Sequence, residues 1–370
     1  MIKVANVIEE AKVGGPQLRI VRVARAISEN VDTTFIFPSE NSEALAAICR
    51  ENRVSYRSIS LSRITKNIPA ASRYILFSPF EVVRLARLLR ELDVDVVHAS
   101  GGAWQYKAVL ASRIAGIPVV WHLNDTSMPT IIRLVFSVLS RLAHAFIFAS
   151  ERTELYYDPL IGGRVSKFVV PAPVDTKLFT PSEIVSRSST TLTIGTVSNI
   201  NPIKGLEVLI KVAAHVGMKL PDVKFVVVGP VYESQRRYFD RLQQLIKELD
   251  LKNVSFDGGT NDPRAQLDQF DIYLCTSHAE SSPLSVWEAM SMGLPIVSTD
   301  VGDVAKYVAD NCGLISRVGD DIQLAEDILK LAHDEELRRS LGERARRSAE
   351  MDLDLDICAN RHLEVYDSLT

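Results

Sequence analysis

The residues best able to do chemistry lie between Glu280 and Glu288, in the run Glu-Ser-Ser-Pro-Leu-Ser-Val-Trp-Glu. A strand ends there, a loop turns, and a helix starts near Pro283. Proline in a first helical turn costs little, because its missing N–H would go unpaired anyway. The N–H groups of Leu284, Ser285 and Val286 then point outward with the positive end of the helix dipole, an arrangement that attracts phosphate. Glu280 precedes the helix and Glu288 lies about a turn and a half inside it, so the two can hold opposite ends of a ligand lying across the helix start. Carboxylates accept hydrogen bonds, and sugar hydroxyls donate them. The plainer reading makes Glu280 a dipole-complementing acid and Glu288 a solvated helix residue.

A second cue sits at Ser198–Gly205, Ser-Asn-Ile-Asn-Pro-Ile-Lys-Gly. A strand over Leu192–Val197 ends there and a helix begins at Gly205, which puts Lys204 at another strand end of the same sheet. A lone lysine in such a place usually faces solvent. Paired with an anion-binding helix start, it reads as a ligand for a diphosphate.

The elements that must position these groups alternate along the chain. The first half opens with a β-branched strand at Lys3–Ile8, a Gly14-Gly15-Pro16 turn, a helical pattern over Leu18–Ile27 and a strand at Thr33–Phe37. The theme returns with a helix at Phe80–Leu92, a strand at Val94–His98, a Gly101-Gly102 turn and strands at Pro118–His122 and Ala145–Ser150. The second half repeats it, from the strand at Leu192 through the helix at Pro283–Met292 to a helical tail at Asp321–Ala349 and a final helix at Ile357–Leu369. Strand–helix alternation predicts an α/β fold of parallel sheets covered on both faces, with ligands at the carboxyl ends of the strands. Gly14, Gly101, His122 and Ser150 fall at such ends.

A chain of 370 residues, 46% apolar and 24% charged, exceeds what one hydrophobic core supports, which predicts two doubly wound domains with a cleft between them. The expected boundaries are a first domain over 1–175, a polar linker over 176–190, a second domain over 191–350 and a closing helix over 351–370, packing back on the first domain. Residues 1–188 carry 23 Lys/Arg against 17 Asp/Glu, and residues 189–370 carry 19 against 29. Nine cations from Arg50 to Arg90 face only Glu51 and Glu81, interleaved with Tyr74, Ile75, Phe77, Phe80 and Val83. That segment reads either as a solvated face or as a surface for anionic headgroups. The acidic overall balance and the lack of a known basic-aromatic module argue against nucleic acid.

Cys49, Cys275, Cys312 and Cys358 show no C-x-x-C spacing, which fits a reducing cytoplasm. The N-terminus lacks a signal-peptide core, and the most apolar stretch, Ile131–Ala149, is broken by Arg133, Arg141 and His144. The expected location is cytoplasmic, at the inner face of a membrane.

The segment from Glu280 to Glu288, followed by EAMSMGLPIVSTDVGD and preceded by NPIKG at the observed spacing, resembles the retaining GT-B glycosyltransferases of family 4. The resemblance covers nearly the whole chain, through Gly14-Gly15, DVVHAS at Asp95–Ser100, VVWHLND at Val119–Asp125, FIFAS at Phe146–Ser150 and VVPAPVDTKLF at Val169–Phe179. It implies two Rossmann-like domains facing across a cleft. Lys204 would bind the diphosphate of a UDP- or GDP-sugar, Glu288 the ribose hydroxyls and Glu280 the hydroxyls of the transferred sugar. The amides of Leu284 and Ser285 would hold the distal phosphate or the sugar. Gly14 and Gly15 would let the first domain approach the diphosphate, and His122 would sit beside the reacting sugar.

The chain departs from the family pattern in places. The family usually has Arg five residues before the lysine, where this chain has Asn199; Ala172 replaces a common Asn, and Ser281-Ser282 follow Glu280 where Gly is frequent. Lys204 and a helix N-terminus can stabilise a leaving diphosphate without a metal or other cofactor. Asp93-Val94-Asp95 has the acidic pattern that holds manganese in other glycosyltransferases, but it opens a strand, where a structural role is favoured. The implied function is sugar transfer to a hydroxyl of a lipid-linked glycan in surface polysaccharide or lipopolysaccharide biosynthesis. The rivals are a nucleotide-sugar epimerase or hydrolase of the same fold, and a non-catalytic nucleotide-sugar binder suggested by Asn199.

Overall fold

The computed structural model of the chain describes residues 1–63, 68–182, 191–260, 262–308 and 312–370; within 68–75 only the side chain of Tyr74 is described. The chain divides into two compact units, Met1–Pro173 with Leu355–Thr370, and Val174–Asp354. Of the expected linker, residues 183–190 lie outside the described residues. Residues 176–182 are held within the second unit: Thr176 Oγ1 donates to Asp354 Oδ2 (2.5 Å) and Ser182 Oγ to Asp268 Oδ2 (2.7 Å).

The first unit runs β1 (Ile2–Val7), α1 (Gly15–Ala26), β2 (Val31–Pro38), α2 (Glu43–Glu51), β3 (Ser55–Ile59), α3 (Ile68–Glu91), β4 (Val96–Ser100) and α4 (Lys107–Ala115). It continues through β5 (Val119–Leu123), α5 (Thr130–Leu139), β6 (Ala145–Phe148), α6 (Glu151–Tyr157) and β7 (Ser166–Val169). Its seven strands are ordered β3-β2-β1-β4-β5-β6-β7, all parallel. β4 and β5 are buried along their whole length, as strands covered on both faces must be. The alternation of their side chains separates two cores. Val97, Ala99, Val119 and Trp121 pack with α3, α4 and α5, while Val96 and Val120 pack on the opposite face.

The second unit runs β8 (Thr193–Val197), α7 (Leu206–Lys219), β9 (Lys224–Val228), α8 (Arg236–Glu248), β10 (Val254–Phe256), α9 (Arg264–Leu267), β11 (Ile272–Cys275) and α10 (Leu284–Ser291). Then come β12 (Ile296–Thr299), α11 (Val304–Val308), β13 (Gly313–Ser316), α12 (Asp321–His333) and α13 (Glu335–Ser348). Its parallel sheet is ordered β10-β9-β8-β11-β12-β13. Strand order reverses between β1 and β4 in one sheet and between β8 and β11 in the other. Adjacent loops diverge there and leave room for a ligand at the carboxyl ends.

The last helix, α14 (Leu355–Asp367), belongs to the first unit and packs against α1 and the second face of that sheet through Cys358, Ala359, Val365 and Tyr366. Tyr366 is 2% exposed, and its hydroxyl stands 2.7 Å from His98 Nδ1. Truncating a buried aromatic side chain to alanine costs about 3–5 kcal/mol, whereas losing one hydrogen bond costs about 1 kcal/mol. Tyr366→Ala therefore lowers the stability of the first unit several times more than Tyr366→Phe. Urea denaturation in a Trp287→Phe background, where fluorescence reports Trp104 and Trp121 alone, checks the ranking; equal costs would refute it.

Candidate functional site

The site in the second unit is assembled from two loops at the strand reversal. After β8 the chain makes a turn in which Asn201 Oδ1 accepts the N–H of Ile203 (2.9 Å), and Gly205 then enters α7 with φ +60°. Gly205 cannot carry a side chain, because a Cβ there would lie 2.1 Å from the carbonyl oxygen of Thr276. That close approach presses the turn against the loop that follows β11. Thr276 Oγ1 donates to Lys204 O (3.1 Å), and the N–H of His278 donates to Ile203 O (2.7 Å).

These contacts bring Lys204 and Glu280 together, with Nζ 2.5 Å from Oε1 and both side chains mostly buried. Ser277 Oγ donates to the same carboxylate oxygen (2.8 Å). Burial works against the Lys204 charge, but the Glu280 carboxylate outweighs it and holds the ammonium above the ordinary lysine value. Sequence reasoning did not single out Ser277; its signal was a hydroxyl three residues before Glu280 in the same loop.

The Glu280 loop is braced from its other side. Gly302 has φ +52°, and a Cβ there would meet Ser281 O at 2.1 Å; the N–H of Asp303 donates to that oxygen (3.2 Å). Trp287 Nε1 donates to Ser282 Oγ (3.0 Å), tying the loop to α10. Pro283 is the residue before the helix, and its carbonyl accepts the N–H of Val286 (3.0 Å). Val286 is therefore not one of the outward donors expected from the sequence. Among the described residues no backbone carbonyl takes the N–H groups of Leu284 and Ser285. Glu288 is 6% exposed, which removes the reading of a solvated helix residue. Asn199, half-buried, accepts Asn201 Nδ2 on its Oδ1 (2.7 Å), leaving its own amide hydrogens as donors.

In the first unit, Gly14 and Gly15 open α1 with ordinary backbone angles, and no described residue lies within 4 Å of where a Gly15 Cβ would stand. His122 keeps the position near a strand end that the sequence indicates. It lies inside β5 with 0% exposure, and both ring nitrogens are engaged by the chain, Nε2 by Arg19 and Nδ1 by His98 Nε2 (3.1 Å). Arginine only donates, so His122 Nε2 accepts, its Nδ1–H donates to His98, and His98 Nδ1–H donates to Tyr366 Oη. The His362 ring lies 5.8 Å from that of His122, and its Nδ1 donates to Cys358 O (2.8 Å). His122 is thus the penultimate residue of β5, its ring part of a buried hydrogen-bonded row.

Asp93 and Asp95 stand at the opposite, amino-terminal edge of the sheet, where they accept from Lys3 Nζ (2.9 Å) and the Lys3 N–H (2.8 Å). They are structural there. A second buried set, absent from the sequence reading, lies beyond β1: Lys107, 0% exposed, reaches Glu81 Oε2 (2.5 Å) and Glu9 Oε2 (3.7 Å). Burial, against the nearby Lys107, pushes the Glu9 carboxyl up to about 7.

Two family descriptions cover most of the chain: "Glycosyltransferase Family 4" matches residues 13–178, and "Glycosyl transferases group 1" matches residues 182–348. The chain belongs to the family 4 glycosyltransferases. It is 25% identical over 376 residues, 93% of each chain, to the N,N'-diacetylbacillosaminyl-diphospho-undecaprenol alpha-1,3-N-acetylgalactosaminyltransferase of Campylobacter jejuni. It is 32% identical over 154 residues to the N-acetyl-alpha-D-glucosaminyl L-malate synthase of Bacillus anthracis, a match spanning 41% of this chain and 39% of that protein. Its fold is that of GT-B glycosyltransferases such as Anabaena HepE, solved with UDP and glucose, at TM-score 0.85, 20% identity and full coverage of both chains.

Two measurements follow from the charges in this glycosyltransferase. An anion reaching Lys204 must displace the Glu280 carboxylate, so Glu280→Gln, neutral and of the same size, binds inorganic pyrophosphate about tenfold more tightly by calorimetry, roughly 1.4 kcal/mol. Unchanged or weaker binding would sink the competition. The second measurement concerns the three buried histidines. Burial, and then neighbouring cationic or imidazole groups, hold His98 and His122 well below the ordinary histidine value, and His362 is lowered to about 4. Their contribution is full above the unfolded value of about 6.5 and is lost as pH falls from there toward 4, because the unfolded chain takes up the protons first. Glu9 works oppositely, losing its contribution as pH rises toward 7, but one carboxyl opposes three rings. The expected Tm rises from pH 4.5 to 6.5 and levels above 7, with a shallower rise in His362→Phe; identical slopes in the two proteins would refute this origin.

Proposed function

We propose that this glycosyltransferase moves a sugar from a nucleoside-diphosphate sugar, UDP- or GDP-linked, to a hydroxyl of a lipid-linked glycan, with retention at the anomeric carbon. The observation that carries the reading is the convergence of Lys204, Glu280 and the open start of α10 at one strand reversal. In this reading the Lys204 ammonium and the N–H groups of Leu284 and Ser285 take the charge that builds on the departing diphosphate. Fixed donors of this kind lower a barrier without rearranging during the reaction. They leave no step that needs a metal or a cofactor beyond the donor. Glu288 accepts from the ribose hydroxyls and Glu280 from the hydroxyls of the transferred sugar. Asn199 adds a neutral donor near the diphosphate.

The lipid-linked acceptor is supported by the Campylobacter relative, whose name specifies a diphospho-undecaprenol acceptor. Among the described residues no helix is long and apolar enough to cross a membrane; in this reading the chain meets such an acceptor peripherally, from the cytoplasmic side. Asn199, where the family pattern has a cation, favours one rival: a protein that binds the nucleotide sugar and turns it over slowly or not at all.

Thermal-shift binding of UDP, GDP and their sugars, followed by turnover assays, tests the reading. Lys204→Ala and Glu288→Ala should each abolish the selective shift, with kcat/KM falling about 10²–10³-fold in Lys204→Ala, the usual loss for one charge-stabilising donor. An α-linked product from an α-linked donor, seen in the anomeric NMR signal, establishes retention. Full activity in both variants would refute the site, and a selective shift without any new glycosidic bond would favour the binder.

A further inference from the structure

α3, α4 and α5 form one layer over the first sheet, since their inward residues share a single core. The outer side of this layer is apolar. Ile132 and Phe136 of α5 point into the core, yet Ile131, Leu134 and Val138 on its other side are 72%, 68% and 60% exposed. A helix apolar all round is ordinarily covered all round, and this one is covered on one side. α3 repeats the pattern with exposed Leu76, Phe77, Phe80 and Val83, and α4 adds Ile114. Between α3 and α4 runs a groove of about 500 Å³ bordered by Pro79, Val82, Val83, Tyr106, Leu110 and Ile114. Apolar exposure on this scale marks an interaction surface.

Charge identifies the partner. The three helices contain two acids, Glu81, buried against Lys107, and Glu91 in the final position of α3. Arg87, Arg113 and Arg133 are exposed on the same layer, and Arg84, also exposed, donates to the carbonyl of Ser60. The wider cationic run expected from Arg50 to Arg90 is not one surface. Arg50 donates to Tyr56 Oη, Arg57 to Tyr56 O and Arg90 to the carbonyl of Ile114, while Arg63 pairs with Glu10; Lys66 and the side chains of Arg73 and Ile75 lie outside the described residues, and Tyr74 is buried. What faces outward is a belt of large apolar side chains among arginines with almost no acid, the chemistry of a helix layer lying in the interfacial zone of an anionic bilayer.

We infer that the outer face of α3, α4 and α5 is the membrane-docking surface of this glycosyltransferase, its apolar side chains entering the acyl boundary and its arginines meeting lipid phosphates. The inference deepens the reading of a lipid-linked acceptor and rests on it for its purpose, while the face itself is independent of the donor site.

Flotation of the full chain with phosphatidylcholine vesicles, with and without phosphatidylglycerol, tests it. The expected result is binding to the anionic vesicles that weakens with salt and falls at least about tenfold in the double variant Phe80→Ser, Leu134→Ser, since two apolar anchors are lost. Both positions are solvent-exposed, so the variant keeps its Tm and its turnover with a water-soluble acceptor. Arg87→Gln with Arg113→Gln should reduce only the anionic component. Absence of wild-type binding, or equal binding by the Phe80→Ser, Leu134→Ser variant, would overturn the inference. So would a wild-type dimer in light scattering that this variant dissolves, since a second copy would then cover the face. None of these failures touches the donor-site reading, which falls only if Lys204→Ala and Glu288→Ala retain donor binding and transfer.

Discussion

Every paired strand in both sheets runs parallel, and much else depends on that constraint. Parallel neighbours cannot be joined by a tight hairpin, so each connection crosses a face of the sheet, usually as a helix, and returns to the same edge. The strand ends that can carry chemistry therefore gather along one edge of each sheet. The reversals between β1 and β4 and between β8 and β11 select where on that edge loops part widely enough for a ligand. Lys204 follows β8 and Glu280 follows β11, so residues 76 apart in the chain meet because of strand order. Asp93 and Asp95, at the opposite edge, are withdrawn from chemistry by the same rule.

Within the second unit, backbone contacts come before charges in building the site. Gly205 and Gly302 let the backbone approach carbonyls on either side of the Glu280 loop at distances no side chain would tolerate. Thr276, the His278 N–H and Trp287 then fasten it. Only on that frame can Lys204 and Glu280 meet as a mostly buried pair. Each charge offsets part of the other's burial cost, which favours the protonated lysine and places it for an anion that carries more charge than the carboxylate it replaces.

The alternation of apolar runs and turn residues made the doubly wound architecture legible, because buried parallel strands are short, continuous and β-branched. α2 and β3 were missed: EALAAICRE is too short for a strong period, and SYRSI is an edge strand with few buried residues. The site was legible where residue type and position in an element coincide, as at Glu280, Lys204 and the start of α10. It was illegible where the outcome turned on orientation. Val286 lost its place as a donor because the Pro283 carbonyl tightens the first turn. The exposed face of α5 was read as part of an apolar stretch, since sequence spacing cannot say that Ile131 and Ile132 point opposite ways.

His122 shows most clearly what sequence position leaves undecided. Arg19 is 3% exposed, and the side chains it is seen to contact are neutral, His122 and Ser100. A buried cation with no carboxylate beside it among the described residues disfavours any further positive charge, so the neighbouring rings are held neutral, which burial already favours. Because arginine can only donate, it also fixes the direction of each hydrogen bond in the row, through His122 and His98 to Tyr366 on α14. In this arrangement both ring nitrogens of His122 are engaged by the chain itself. The row joins the last helix of the chain to β4, β5 and α1, so the catalyst candidate of the first unit is also part of what holds that unit together.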